Sequence, residues 1–259
     1  FDFPQDMDLV YAAGDPILSA FGIGESFLLP YLEPYLMRSM RAAMDFVGDE
    51  KVRQEMALFC KQEGNHFKQH MEVNRTLRER SKNPAALAAM ERELEAEYRH
   101  WSETRPLKWN LAYAEGFEAF TAASSIVTLE SGVLENNAHP MARLYDWHLM
   151  EELEHRTVTF DAYKHAGGGY VFRSRVGMYA QWHFLSRAWR MGRLFLVEDA
   201  SLPPEYQTPE FLRQRSRMRR RDLLKTLAGA LRTHLPWYTP HKLQLPLKFG
   251  DAQARYASD

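Results

Sequence analysis

Apolar residues recur at helical spacing along nearly the whole chain, and no segment alternates convincingly between apolar and polar positions. Glycine and proline fall mainly between the periodic segments, where they end helices or form turns. The pattern therefore predicts an almost entirely α-helical protein. The predicted helices begin near residue 15 and then span about 49–80, 84–101, 106–135, 140–167, 170–197 and 204–233.

The first predicted helix begins at Asp15, a capping residue, and Pro16 follows at the first helical position, where proline is favoured. Its apolar stripe contains one carboxylate, Glu25. Pro30 and Pro34 lie further along. Because proline removes a backbone N–H and clashes with the preceding turn, these two residues are expected to bend or break the helix.

A glutamate three residues before a histidine places both side chains on one helix face, from which they can reach the same metal pair. This spacing occurs three times in the chain. Glu97 and His100 lie in the strongly charged segment 84–101, which we expect to be a solvated connector helix. This pair is therefore interpreted as a surface feature.

The other two pairs lie on faces built mainly from apolar residues. Glu63 and His66 share their face with Phe59, and Glu152 and His155 repeat the arrangement on the fifth predicted helix. An ionised carboxylate on a core-facing stripe needs a strong partner, and a divalent cation is one of the few that suffice. Both pairs are therefore predicted to bind metal.

A dinuclear site in a helical bundle takes one additional glutamate from each of two further helices. On the first helix Glu25 is favoured because it lies on the apolar stripe, whereas Glu33 sits between the two prolines. On the fourth helix Glu118 is favoured because it is central and has small neighbours, and Glu115 is a close second. The other candidates on that helix lie too near its end: Glu130 and Glu135.

His148 lies one helical turn before Glu152 and on the same face. Two interpretations stay open: it is a seventh ligand, or it is a buried histidine hydrogen-bonded to a ligand carboxylate. His70, one turn past His66, is expected to be an outer partner or a structural residue. The predicted metal ligands are Glu25, Glu63, His66, Glu118, His148, Glu152 and His155.

Composition restricts the ligand chemistry. The 259 residues include a single cysteine, Cys60, which excludes an internal disulfide and a thiolate cage. Histidine and carboxylate are then the remaining strong ligands. No apolar run approaches transmembrane length, and the start lacks a secretory pattern, so a cytoplasmic location is expected.

The net charge of −1 is unevenly distributed: residues 168–259 hold 16 Lys+Arg against 7 Asp+Glu, which leaves 17 against 27 in residues 1–167. The basic C-terminal region could meet an acyl or phosphate-bearing carrier or a membrane surface, or form a homodimer contact. A solvated helix face is the favoured interpretation of its charge run. No nucleic-acid motif accompanies it, so no nucleic-acid partner is expected. Its densest basic run is Arg213, Arg215, Arg217, Arg219, Arg220 and Arg221.

Four segments carry a resemblance to known families: Gly24-Glu25, Gln62-Glu63-x-x-His66, Phe117-Glu118-x-Phe120-Thr121 and Trp147-His148-x-x-Glu151-Glu152-x-Glu154-His155. In order and spacing, over roughly residues 15–200, they resemble a bacterial family catalogued as predicted metal-dependent hydrolases. The resemblance implies a ferritin-like bundle and supports Glu118 over Glu115. The placement of His148 is also similar to that in di-iron arylamine N-oxygenases, in which an extra histidine joins the usual six ligands.

These features predict an all-α, ferritin-like four-helix bundle with additional C-terminal helices. The predicted organisation is an N-terminal segment at 1–14, a metal-binding bundle at 15–169 with the polar connector at 84–101, accessory helices at 170–235 packed on the bundle, and an irregular tail at 236–259.

The leading functional hypothesis is a non-haem di-iron oxygenase or oxidase. Two iron ions, with manganese as the other candidate, would activate O2 and oxidise C–H or N–H bonds of a small organic substrate, with electrons from a donor protein or reductant. The alternative is a metal-dependent hydrolase that uses a metal-activated water. A third hypothesis is iron storage or a structural metal-binding bundle.

Overall fold

The computed structural model describes residues 1–247 and 249–256, and this part of the chain contains helices and no strands. The predicted all-α bundle is therefore confirmed. Its α-helices are α1 (Pro16–Met44), α2 (Glu50–Leu77), α3 (Pro84–Thr104), α4 (Leu107–Ser131), α5 (Pro140–Glu154), α6 (Val158–His165), α7 (Tyr170–Gly192), α8 (Pro209–Thr233) and α9 (Phe249–Tyr256).

Helix α1 starts where its capping residues predict. Asp15 Oδ1 accepts hydrogen bonds from the backbone N–H groups of Ile17 at 2.9 Å and Leu18 at 3.2 Å. Asp49 caps α2 in the same way. Such caps satisfy backbone donors that have no partner inside the helix.

Pro30 and Pro34 do not end α1, which is continuous from Pro16 to Met44. The expected break is therefore wrong. Because Pro30 has no N–H, it cannot donate a hydrogen bond to the carbonyl of Ser26 one turn earlier. The side chain of Asn74 on α2 supplies the missing donor, with Nδ2 at 2.7 Å from Ser26 O. A neighbouring helix thus compensates for the hydrogen bond that this proline removes.

The single helix predicted from Pro140 to the glycines at 167–169 is divided into α5 and α6. His155 is the C-terminal cap residue of α5, with φ −95° and ψ 10°, and α6 begins at Val158. Glu63 thus lies in the middle of α2, whereas His155 lies at the end of α5 and not within the longer helix that was predicted.

Helix α3 connects α2 to α4, as expected, but it is not fully solvated. One stripe of α3 is buried, including Leu87, Leu94, Tyr98 and Trp101. The aromatic part of this stripe packs against Tyr35 of α1, with ring centroids 5.1 Å apart for Tyr98. The expectation of a fully solvated helix was wrong because the apolar face of this highly charged segment is narrow.

Helix α7 packs closely against α1 and α4. At Gly24 of α1, a Cβ atom would lie 2.0 Å from the carbonyl oxygen of Ala188 and 2.4 Å from the backbone nitrogen of Gly192. At Gly116 of α4, it would lie 2.3 Å from the Cα of Gly177. Glycine therefore sets the distance between α7 and the bundle at both contacts.

We expect Gly24→Ala to lower the free energy of unfolding by about 2–3 kcal/mol, since the new methyl group meets rigid backbone rather than a flexible side chain. Gly64→Ala in α2 is the matched control: its nearest neighbour would be Met37 Sδ at 3.9 Å. There alanine should leave stability unchanged or raise it by about 0.5–1 kcal/mol. Urea unfolding measures both, and equal effects of the two substitutions would contradict the close packing.

The C-terminal region carries the basic run on α8. Arg215 pairs with Asp199 and Arg219 with Asp15, both at 2.9 Å. Arg213, Arg217 and Arg220 are exposed, and a partner for this surface stays a prediction.

The tail predicted to be irregular includes the short helix α9, which packs against α5. Residues 248 and 257–259 of that tail lie outside the described residues. None of the helices in the described part has the length and apolarity needed to span a bilayer.

Candidate metal centre

Four helices direct carboxylate and imidazole side chains into one buried region between them. α1 supplies a glutamate, α2 a glutamate and a histidine, α4 a glutamate, and α5 with its cap residue a glutamate and two histidines. Each of these side chains is at most 4% exposed. We call them the carboxylate–histidine cluster: Glu33, Glu63, His66, Glu118, His148, Glu152 and His155.

The two Glu-x-x-His pairs meet within this cluster. His155 Nε2 lies 3.3 Å from Glu118 Oε2, 3.4 Å from Glu63 Oε1 and 3.5 Å from Glu152 Oε2. His66 Nδ1 lies 3.6 Å from Glu152 Oε1 and 3.8 Å from Glu63 Oε1. Both imidazoles therefore approach the same two carboxylates.

Many polar atoms of the cluster are buried without a hydrogen-bond partner among the described residues. They are Glu33 Oε1 and Oε2, Glu63 Oε1, His66 Nδ1, Glu118 Oε1 and Oε2, Glu152 Oε2 and His155 Nε2. A buried polar group without a partner costs about 1–3 kcal/mol, and more if it is charged. Metal ions bound among these atoms would satisfy them together, so the donor set fits a metal centre.

Three combinations of residues, searched over the described part of the chain, bring one ligand atom from each member within 4.8 Å of the others. They are Glu33 with His66 and His148, Glu63 with Glu118 and His155, and Glu63 with His66 and Glu152. Glu63 belongs to two of these groups. Because Glu63 Oε1 lies 3.4 Å from His155 Nε2 and 3.8 Å from His66 Nδ1, Glu63 would be available to a metal at either position.

A family model described as a predicted metal-dependent hydrolase matches residues 1–244. The chain belongs to this family. The resemblance to predicted metal-dependent hydrolases is therefore confirmed. The cluster supplies the ligand types that a metal-dependent protein requires. No curated protein and no solved structure matches the chain significantly.

The cluster contains all of the ligands predicted from the sequence except Glu25. Glu25 lies on α1 and keeps some solvent contact, and it joins none of the three groups. Glu33, which was disfavoured because it lies between the two prolines, joins one of the three groups, because α1 stays helical through Pro30 and Pro34. Desolvation and the charge of Glu152 raise the pKa of Glu25 to about 8.

We expect Glu33→Ala to lose bound metal and Glu25→Ala to retain it. Glu33 offers two buried, unpartnered oxygens in the described structure, whereas Glu25 has no place in a ligand group. Metal content per chain after reconstitution and desalting would distinguish the two variants. Loss of metal in Glu25→Ala together with full loading of Glu33→Ala would restore Glu25 as the ligand.

Glu115, the close second candidate on α4, has a different role. Its Oε1 accepts a hydrogen bond from Arg173 NH1 of α7 at 2.7 Å, and both side chains are buried. Arg173 also donates to the carbonyl of Thr233 at 2.8 Å. Glu115 thus links α4 to α7, and Glu118, one turn further along α4, faces the cluster.

The outer nitrogens of two cluster histidines have acceptor partners. His66 Nε2 lies 2.9 Å from Glu151 Oε2, and His155 Nδ1 lies 3.2 Å from Gln62 Oε1. Such partners fix the ring orientation of histidine ligands. Both Gln62 and Glu151 lie within the sequence motifs quoted above, but the motifs alone do not show which histidine each one faces. Their positions next to Glu63 and Glu152 are the signal that could have identified them.

Burial and the neighbouring charges shift the pKa values of the cluster residues when no metal is bound. Desolvation and the charge of Glu152 raise the pKa of Glu118 to about 7, and the same two causes raise the pKa of Glu63 well above its usual value. Desolvation opposes the charged form of His155, but Glu152 and Glu118 outweigh it and raise the pKa of His155 to about 10. Without metal, the protein must therefore hold protons at this site.

Proposed function

We propose that the carboxylate–histidine cluster binds two transition-metal ions, most suitably iron, and that the protein oxidises a small organic substrate with O2. The observation that carries the proposal is the distribution of ligands over the helices. Two helices supply one glutamate each, Glu33 and Glu118, and two supply a Glu-x-x-His pair. This is the ligand set of ferritin-like di-iron and di-manganese carboxylate proteins.

The chain's own residues would hold and orient the two ions. Glu118 and His155 would serve one ion, Glu33 and His66 the other, and Glu63 could contact both. When bound, the metal would supply the redox chemistry. Aromatic side chains border the cluster and limit water there: Phe59 packs against the His155 ring with centroids 4.7 Å apart, and Trp147 against His66 at 4.9 Å.

The proposal is tested by loading the protein with Fe(II) under anaerobic conditions, admitting O2, and recording O2 uptake and the near-ultraviolet and visible spectrum. We expect rapid O2 consumption and new absorption in the wild type. His155→Ala is the negative control, because His155 Nε2 faces three carboxylates of the cluster. Iron that binds but neither consumes O2 nor changes the spectrum would contradict oxidation as the reaction.

Metal-dependent hydrolysis is the second candidate function, and the description of the matched family favours it directly. In that case the metal would lower the pKa of a bound water to generate a nucleophile. A redox-inert ion would then suffice. Turnover of an ester or amide by the Zn2+-loaded protein, lost in His155→Ala, would support hydrolysis, whereas the oxidase proposal predicts no such turnover.

A further inference from the structure

A chain of buried hydrogen bonds leads from His148 away from the cluster. His148 Nδ1 lies 2.7 Å from His70 Nε2, and His70 Nδ1 lies 2.9 Å from Ser26 Oγ. Ser26 Oγ lies 2.7 Å from Asn74 Oδ1. All four side chains are at most 4% exposed. We call His70, Ser26 and Asn74 the histidine relay.

The hydrogen bond between Asn74 and the Ser26 carbonyl fixes the donor and the acceptor of every other hydrogen bond in this relay. The carbonyl of Ser26 can only accept, so the Asn74 amide must present Nδ2 to it at 2.7 Å. Asn74 Oδ1 then accepts the single hydroxyl proton of Ser26. With that proton committed, Ser26 Oγ can only accept from His70, and Nδ1 of His70 must carry a proton.

A neutral imidazole protonated at Nδ1 has an acceptor at Nε2. His70 Nε2 therefore accepts from His148 Nδ1. Neutral His148 then has a lone pair on Nε2, the nitrogen that lies 2.9 Å from Glu152 Oε1 and points into the cluster. The assignment starts from Pro30, because the missing N–H of that proline leaves the Ser26 carbonyl open to Asn74.

We infer that the histidine relay sets the tautomer of His148 so that its Nε2 binds metal, which makes His148 a ligand and His70 a positioning residue. The inference rests on the proposed metal centre. His66 and His155 follow the same rule, because the outer nitrogen of each faces an acceptor, Glu151 Oε2 or Gln62 Oε1. In each of the three histidines the outer contact thereby places the ring proton on the nitrogen that faces away from the cluster. His66 Nδ1 and His155 Nε2 have no hydrogen-bond partner among the described residues, and His148 Nε2 faces Glu152 Oε1.

Nitrogen-15 NMR of protein labelled in the histidine rings tests the relay directly. In wild type loaded with Zn2+, we expect His148 to be protonated at Nδ1 and metal-bound at Nε2, and His70 to be protonated at Nδ1. A proton on His148 Nε2 in the loaded protein, or on His70 Nε2, would overturn the inference. If no Zn2+ binds, the proposed metal centre fails, whereas the tautomer of His70 in the same sample still decides the relay.

A pair of matched variants tests the consequence for metal binding. Asn74→Leu frees the Ser26 hydroxyl to donate to His70 Nδ1, which favours the wrong tautomer along the relay. We expect its Zn2+ affinity, measured by competition with a chelator, to fall by about 10–100-fold. Asn110→Leu is the control, because Asn110 is also buried and accepts a hydrogen bond from another helix, from Tyr35 at 2.9 Å.

The control should bind Zn2+ within about threefold of wild type, since it lies outside the relay. Equal affinity of Asn74→Leu and wild type would overturn the inference, as would equal losses in both variants. If Asn74→Leu fails to fold, the nitrogen-15 NMR measurement of the His70 and His148 tautomers in the wild-type protein still tests the inference.

Discussion

The Glu63→Ala variant is expected to lose both metal ions and to lose activity by at least about 100-fold. Glu63 belongs to two of the three ligand groups and lies within 3.8 Å of both His66 and His155. Removing it takes away the carboxylate that would be available to both positions. Outer partners of metal ligands already change affinity or activity by about 10–100-fold, so a shared ligand should have a larger effect. Metal analysis per folded chain measures the loss.

Glu97→Ala is the matched control for Glu63→Ala. Glu97 also precedes a histidine by three residues, but His100 is exposed and Glu97 instead pairs with His183 at 3.0 Å and Arg187 at 3.1 Å. We expect this variant to keep its metal. Unchanged metal content in Glu63→Ala, with the protein folded, would show that the ligands have been assigned incorrectly.

The metal-free protein is expected to lose stability as the pH rises from about 5 to 8, and metal binding should remove this dependence. Burial and neighbouring carboxylates raise the pKa of Glu118 to about 7 and the pKa values of Glu33 and Glu63 well above their usual range. Each unit of pKa shift corresponds to about 1.4 kcal/mol. The total effect on unfolding should therefore reach several kcal/mol.

The sign of this effect follows from proton binding. Between the unfolded pKa near 4.5 and the raised folded values, the native state holds protons that the unfolded state has released, so stability falls as the pH rises. Burial lowers the pKa values of His66 and His70, which gives the opposite trend below about pH 6.5 and partly offsets the fall there. The raised carboxylates are more numerous, so the net slope stays negative.

Chemical unfolding of chelator-treated and metal-loaded protein across this pH range provides the test. At a free metal concentration about 1,000 times the dissociation constant, a ligand that binds only the native state adds about 4 kcal/mol per site. The loaded protein should therefore be more stable by several kcal/mol at pH 7.5, with a smaller difference at pH 5. Equal stability with and without metal at pH 7.5 would contradict the account.

Periodicity and spacing predict much of this molecule. The helical pattern, the caps at Asp15 and Asp49, and the two core-facing Glu-x-x-His pairs all follow from local rules that tertiary packing did not override. The choice of Glu118 over Glu115 rested on a central position and small neighbours. The structure adds a difference between these two residues: Glu115 accepts a hydrogen bond from Arg173 of α7, whereas Glu118 lies in the cluster.

The predicted helices differ from the structure at two places near the cluster, the prolines of α1 and the end of α5. The prolines of α1 suggested a break because a single sequence does not show that Asn74 lies beside the Ser26 carbonyl. Similarly, the end of α5 at His155 carries no glycine or proline that would predict it. Both errors concern cluster residues, where the chain departs from its simplest local preferences.

We propose above all that two metal ions bind among the buried carboxylates and imidazoles of α1, α2, α4 and α5. Anomalous diffraction at the absorption edge of iron, from crystals of iron-reconstituted protein, tests it most directly. We expect two anomalous peaks per chain, one beside Glu118 and His155 and one beside Glu33 and His66. No peak inside the bundle, or peaks only at surface residues, would contradict it.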